Sequence, residues 1–303
     1  MGFHFKIGAM TDVGKVRAIN EDHFSIAQDL GLFMVADGLG GQNAGEVASK
    51  MAVEIVKSHL NSNKDPLVGE YREEFSQDTN RMLSGIRLAN SAIYEAGQRN
   101  SEQQGMGTTV SSVRIKGDVM GLAHVGDSRI YRVRGDRCLE RLTVDHSLVQ
   151  EQLKMGLITE EEAAESKHKN VITRALGAEE TILIDADEEV LFDRDKILLC
   201  TDGLTDMVGE EDIERIILRN GDDPQKACGE LVDTANDKGG IDNITVILVH
   251  CEKNEGNAGL LERALLSIIG GLRKAYGRIP GFLRGEKGEA PSSSGGAKGE
   301  AAL

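Results

Sequence analysis

Two segments of the 303-residue chain echo each other and constrain its fold more than any other feature. Leu32-Phe33-Met34-Val35-Ala36 runs into Asp37-Gly38-Leu39, and Ile197-Leu198-Leu199-Cys200-Thr201 runs into Asp202-Gly203-Leu204. A short run that is apolar throughout has to be covered on both faces, so it reads as a central strand between layers. Each such strand ends in a carboxylate that buried backbone holds rigidly. The glycine beside it lets backbone approach a ligand closely and can expose a carbonyl oxygen.

The remaining pattern supplies the layers. Alternation at Phe3-His4-Phe5-Lys6-Ile7 predicts a first strand, and residues 24–27 another. Ala44, Val47, Ala48, Met51, Ala52, Ile55, Val56 and Leu60 recur at helical spacing, and a second helix is expected over 80–99. Residues 108–142 turn to short strands joined at KGD and RGD, which read as hairpins. Residues 147–180 are charged and weakly periodic, and read as an insertion. Strands follow near 181–190 and 195–200, helices near 210–219 and 224–237, and a last strand over 243–250. Strands arrive in blocks rather than alternating with helices. That favours an α+β fold with helices packed on largely antiparallel sheets over a parallel doubly wound sheet.

Charge and composition narrow the function. Lys and Arg number 35 against 50 Asp and Glu, a net charge of −15, which argues against nucleic-acid binding through phosphate contacts. There is no Trp, so base-stacking platforms are also unexpected. The 4 cysteines form no CxxC pair, which argues against a thiolate zinc site or a redox motif. Scattered cysteines and the absence of a signal-like N-terminal stretch lead to the expectation of a cytoplasmic protein without a transmembrane segment. A composition break near residue 253 separates a compact region, 1–252, from a tail, 253–303. In that tail Leu261, Leu265, Ile268, Leu272 and Ala275 fall on one helical stripe, and residues 284–303 are expected to be disordered.

Acidic residues at strand edges carry the chemistry. Beside Asp37-Gly38 and Asp202-Gly203 stand Asp242-Asn243 before the last strand, Gly126-Asp127 after an apolar strand, and Asn20-Glu21-Asp22 before the strand at 24. Gathered together, these carboxylates would repel each other and need a cation between them. All are hard oxygen donors with no interleaved His or Cys, a set suited to Mg²⁺ or Mn²⁺ rather than Zn²⁺. Two such ions with a bridging carboxylate suit in-line attack on a phosphate ester. Arg17, four residues before Glu21, is the best-placed fork for the phosphate. Competing motifs fail: Gly38-Leu39-Gly40 is followed by Asn43 where a dinucleotide loop needs its third glycine, and no P-loop, HxxxH or GxSxG is present.

The ordered motifs GAMTDVGKVRAINEDHF, FMVADGLGG, GMGTTV, HVGDSRIYR, LTVDHS, NVITRALG, LLCTDGLTDMV and GGIDNITVILV span residues 8–250. In this order they resemble the metal-dependent (type 2C) serine/threonine protein phosphatases of the compact bacterial kind. The resemblance implies an αββα sandwich with a metal cleft at one end of two antiparallel sheets. It implies that Asp37 bridges two Mn²⁺ or Mg²⁺ ions, that Gly38 gives a backbone carbonyl to one, and that Asp202 and Asp242 bind the other. Glu21 is implied beside the first ion, Asp22 and Asn243 behind the ligands, Arg17 on the phosphate, and Asp127 at a third, weaker ion. Residues 147–180 match a variable flap over the cleft. The implied activity is hydrolysis of phosphoserine and phosphothreonine by a metal-bridging hydroxide, opposite a serine/threonine kinase, by a monomer. Leu39 stands where some members carry a proposed general acid, leaving water at the metals, or His146 or His168 if the fold brings one near. The rival reading is a pseudophosphatase that captures phosphoproteins without turnover.

Overall fold

The computed structural model describes residues 2–40, 44–62, 66–135, 139–164, 166, 168 and 170–253. The expected tail helix and the disordered segment after it lie outside these residues. The strands are β1 (Phe3–Asp12), β2 (His23–Ala27), β3 (Leu32–Ala36), β4 (Gly38–Leu39), β5 (Gly107–Thr108), β6 (Val110–Lys116), β7 (Val119–Val125), β8 (Arg129–Val133), β9 (Glu140–Arg141), β10 (Asp185–Val190), β11 (Asp195–Cys200) and β12 (Ile244–Lys253). The helices are α1 (Ala44–Asn61), α2 (Gln77–Arg99), α3 (Leu148–Lys154), α4 (Glu160–Ala164), α5 (Asp202–Thr205), α6 (Glu210–Arg219) and α7 (Pro224–Asp237).

Two five-stranded sheets form the centre, in the orders β1-β12-β11-β8-β9 and β10-β7-β6-β3-β2. Every strand pairing among the described residues is antiparallel. Side-chain alternation builds three apolar layers from these sheets. Leu32, Met34 and Ala36 of β3 face α1 and α2, where Val56, Met82, Ile86 and Ile93 are buried. Phe33 and Val35 face the other way and meet Ile197, Leu199, Ile247 and Val249 between the sheets. There Phe5 of β1 packs edge-on against Phe33, centroids 5.5 Å apart. On the outer face of the sheet that holds β11 and β12, Leu198, Val246 and Leu248 meet Ile213, Ile217, Leu231 and Val232 of α6 and α7. The result is the αββα sandwich.

Local signals set the helix ends. Ser76 caps α2 by accepting from the Thr79 N–H, and Asp223 caps α7 ahead of Pro224 at its first turn. The KGD join is a tight hairpin, with Lys116 opposite Val119. β9 also pairs antiparallel with β8, with Arg132 opposite Glu140, while the expected hairpin at RGD falls partly outside the described residues. β1 runs five residues beyond the expected segment, to Asp12, because its second half pairs with β12, the longest apolar strand. Within the insertion, α3 and α4 are short, and Ser147 bridges to Ile172 at its neck.

The strand directions bring the ends of β1, β3, β7 and β11 and the starts of β2, β6, β8 and β12 to one end of the sandwich. Every acidic motif found in the sequence falls at that end.

Candidate active site

Asp37 follows β3 and is anchored through its backbone. Its N–H donates to Thr109 Oγ1 at 3.0 Å, and its carbonyl accepts from the Thr109 N–H and the Thr108 Oγ1 hydroxyl, both at 2.8 Å. Thr108 also pairs with Leu176 at the base of the insertion. The bridging-acid candidate and the insertion are therefore tied to one residue. Gly38 is required sterically: a Cβ there would overlap the carbonyls of Gly45 and Glu21. That close approach seats Gly38 against the start of α1.

Asp22, before β2, is buried, and its Oδ2 accepts from the Thr201 hydroxyl at 2.8 Å. Thr201 belongs to the other sheet, and its Oγ1 accepts in turn from the Thr245 N–H at 3.0 Å. Asp202 opens α5, and Gly203 packs so closely on Asn243 that a side chain would strike the Asn243 carbonyl. Asp127 lies in the connection from β7 to β8 and is 8 % exposed. Behind it Arg129 makes a forked pair with Asp145, 2.7 Å at the shortest.

Asn243 fixes the loop that carries Arg17 and Glu21. Its Nδ2 donates to the carbonyls of Val13 at 3.0 Å and Ile19 at 2.9 Å, and its Oδ1 accepts from the Glu21 N–H at 2.8 Å. Asn243→Ala removes all three bonds and leaves backbone groups unpaired. It is expected to cost about 2–3 kcal/mol in denaturant melts and to weaken metal binding in calorimetry. Unchanged values on both would make the tether dispensable. Arg17 is half exposed, and its guanidinium donates to Asp242 Oδ2 at 2.7 Å.

The electrostatics tests whether a cation fits. Burial raises the Asp37 carboxyl well above its usual range, and the charges of Asp22, Asp202, Asp127 and Asp242 push it further. Burial raises Asp22 to about 7, Asp127 to about 8 and Asp202 to about 6, with neighbouring carboxylates adding to each shift. Asp37 and Asp202 lie close enough to hydrogen-bond each other. Glu21 is raised by burial, while the charge of Arg17 and the backbone amides of Gly45 and Glu46 act against the shift. Glu21 Oε1, Asp22 Oδ1 and Asp202 Oδ1 are buried without a hydrogen-bond partner. Buried oxygens left unpaired inside a mutually repelling set are what a hard divalent cation would satisfy, and the donors fit Mg²⁺ or Mn²⁺.

The proton-donor candidates stand differently. His146 is buried with both ring nitrogens engaged: Nδ1 accepts from the Gly126 N–H at 3.1 Å, and Nε2 lies 3.2 Å from Asp185 Oδ2. It packs parallel to His124 rather than opening into the cleft, so it is not a free acid. His168 is exposed on the insertion, where its N–H donates to Ser166 Oγ at 3.2 Å and its carbonyl accepts from the Val171 N–H at 3.1 Å. Sequence reasoning missed Thr108, Thr109, Thr201 and the Arg129–Asp145 pair. Their roles arise from cross-strand pairing, and the one available signal was their place inside the quoted motifs.

A family model described as Protein phosphatase 2C matches residues 15–220. A Listeria innocua protein named "Serine/threonine phosphatase stp" is 37 % identical over 242 residues, covering 79 % of this chain and 93 % of its own. The solved Streptococcus agalactiae serine/threonine phosphatase aligns with a TM-score of 0.73 at 38 % identity, over 81 % of this chain and 99 % of its own. The catalytic domain of the serine/threonine protein phosphatase PstP, solved in complex with two manganese ions, aligns with a TM-score of 0.70 at 31 % identity, over 82 % and 99 %. Motifs, sandwich and acidic cleft agree with these likenesses, and the chain belongs to the protein phosphatase 2C family, whose members are metal-dependent hydrolases.

Proposed function

We propose that this chain is a serine/threonine protein phosphatase that hydrolyses phosphoserine and phosphothreonine in protein substrates, acting as a cytoplasmic monomer opposite a serine/threonine kinase. The observation that carries the reading is the convergence, beside Arg17 and Asp242 at one end of the sandwich, of four aspartates, Asp22, Asp37, Asp127 and Asp202, and these four carboxyls are raised by burial and by neighbouring carboxylates. No helix among the described residues is long and apolar enough to cross a membrane.

Asp37 would be the ligand shared by two Mn²⁺ or Mg²⁺ ions, with the Gly38 carbonyl and Glu21 on one side and Asp202 and Asp242 on the other. Asp127 would serve a third, weaker ion. Bound there, the ions supply Lewis acidity, activating water at neutral pH and offsetting phosphate charge. The chain's own residues then do the positioning. Thr108 and Thr109 hold Asp37 in place through its backbone. Asn243 holds the loop from which Arg17 presents its guanidinium fork to the phosphate oxygens. Asp22, pinned by Thr201, supports the ligands from behind. Residues 147–180 would govern access of folded substrates to this end of the sandwich.

Release of phosphate from a phosphothreonine peptide with Mn²⁺, abolished by chelator, tests the reading directly. Tight peptide binding with no release would favour the pseudophosphatase instead. In the same assay Arg17→Ala is expected to raise KM about tenfold and lower kcat, because charge on the phosphate oxygens redistributes in the transition state. Unaltered kinetics would reduce Arg17 to a partner of Asp242. The compact region is proposed to be catalytically complete. A chain ending at Lys253 is expected to fold and to hydrolyse p-nitrophenyl phosphate at the full-length rate, and insolubility or lost turnover would move the boundary into the tail.

A further inference from the structure

Aliphatic side chains stand exposed where the loop of Arg17 meets the segment before β12. Val16 is 68 % exposed, Ile19 39 % and Ile241 44 %. Two ties hold these segments side by side. The Lys15 N–H donates to the Gly240 carbonyl at 2.7 Å, and the Arg17 guanidinium donates to Asp242 Oδ2 at 2.7 Å. Val16 lies between the ties on one segment and Ile241 between them on the other. Asn243 binds the carbonyls of Val13 and Ile19, so the loop cannot turn these side chains inward. Isolated exposed aliphatics are ordinary on protein surfaces. Three on two tethered segments, each next to or two residues from Arg17 or Asp242, make a patch continuous with the reaction centre. All three are β-branched, so little rotamer freedom is lost when something packs on them.

We propose that Val16, Ile19 and Ile241 form a contact surface for an apolar side chain flanking the phosphorylated residue of the substrate. The inference rests on the phosphatase reading and on Arg17 taking the phosphate. A phosphate held by Arg17 brings the neighbouring peptide residues over this rim, because an extended peptide advances about 3.3 Å per residue. The occupant is thus a Leu, Ile, Val or Met within two residues of the phosphoresidue, and the class selected is phosphopeptides with aliphatic neighbours.

The experiment compares phosphothreonine peptides that differ at one position, Leu against Asn, scanned from two residues before the phosphothreonine to two after. Wild-type kcat/KM is expected to favour Leu at one or more positions by about tenfold, the scale set by burying one aliphatic side chain. In Val16→Ser, and in Val16→Ser with Ile241→Ser, that ratio is expected to fall to about twofold or less. Turnover of p-nitrophenyl phosphate, which has no flanking residues, is expected to stay within twofold. A wild-type ratio near one at every position, or a ratio that survives both variants, overturns the proposal. So does a change confined to oligomeric state in light scattering, which would make a second copy of the chain the occupant. Loss of p-nitrophenyl phosphate turnover in both variants also overturns it, since the residues would then be holding the Arg17–Asp242 geometry. Failure of the phosphatase reading looks different: wild-type protein with Mn²⁺ would release phosphate from no peptide and no small ester.

Discussion

Asp37→Asn is expected to lower kcat on any phosphate ester by about a thousandfold or more while making the metal-free protein more stable. The opposite signs come from one feature. The Asp37 carboxyl is forced upward by its own burial and by four neighbouring aspartates, so its charge costs the folded state free energy. A neutral isostere removes that cost. Its backbone anchors to Thr108 and Thr109 do not depend on the side-chain charge, so the fold is kept. Losing the shared anionic ligand removes about 4 kcal/mol from the barrier lowering, which is the stated rate effect. A chelator-treated melt and a turnover assay check both halves. Near-normal turnover in Asp37→Asn, or a destabilised metal-free variant, would refute the assignment.

The second large effect is the pH dependence of metal stabilisation. Asp202 at about 6, Asp22 at about 7 and Asp127 at about 8 all lie above the value of roughly 3.9 that an unfolded aspartate has. Between about pH 4 and 8 the metal-free native state therefore holds more protons than the unfolded chain. The stability these groups contribute is full below about pH 4 and is lost as pH rises through their folded values. Each excess proton changes stability by about 1.4 kcal/mol per pH unit. Cation binding reverses the trend, because it uses the ionised carboxylates and offsets their repulsion. The gain in melting temperature from Mn²⁺ over chelator is expected to be small at pH 5 and to grow by several degrees up to pH 8. Taking the difference between paired melts cancels titrations elsewhere, such as that of Asp185, which is held low by His146. A metal-induced shift flat across that range would sink the idea that these carboxylates form the binding set.

Legibility in the sequence tracked the range of the interaction. β3 and β11 were readable because full apolar runs have one stable environment, and α1, α6 and α7 because their apolar stripes are regular. The acidic residues were readable individually as Asp beside Gly or Asn at strand ends. What holds them was not. The second half of β1, Gly8-Ala9-Met10-Thr11-Asp12, has no alternation and becomes a strand through its pairing with β12. Thr201 looks like a neutral end to a strand until its hydroxyl is found on Asp22, 179 positions away in the chain. The same long range removed His146 from the list of acids, since its engagement by Gly126 and Asp185 is visible only in three dimensions.

The placement of the carboxylates across the sandwich has a mechanical consequence. Asp22 and Asp37 sit at strand ends of one sheet, Asp202 and Asp242 just beyond strand ends of the other, and Asp127 in the strap between them. At this end the layers are stitched by Thr201 and Asp22, and the charges beside that stitch press them apart. A cation seated among them would act as a rivet through both layers. Tuning the grip on the ion would then also tune how far this mouth can gape. Slow exchange of amide hydrogens at Asp37 and Thr245 on loading, with little change at the far ends of β3 and β12, would be the trace of that rivet.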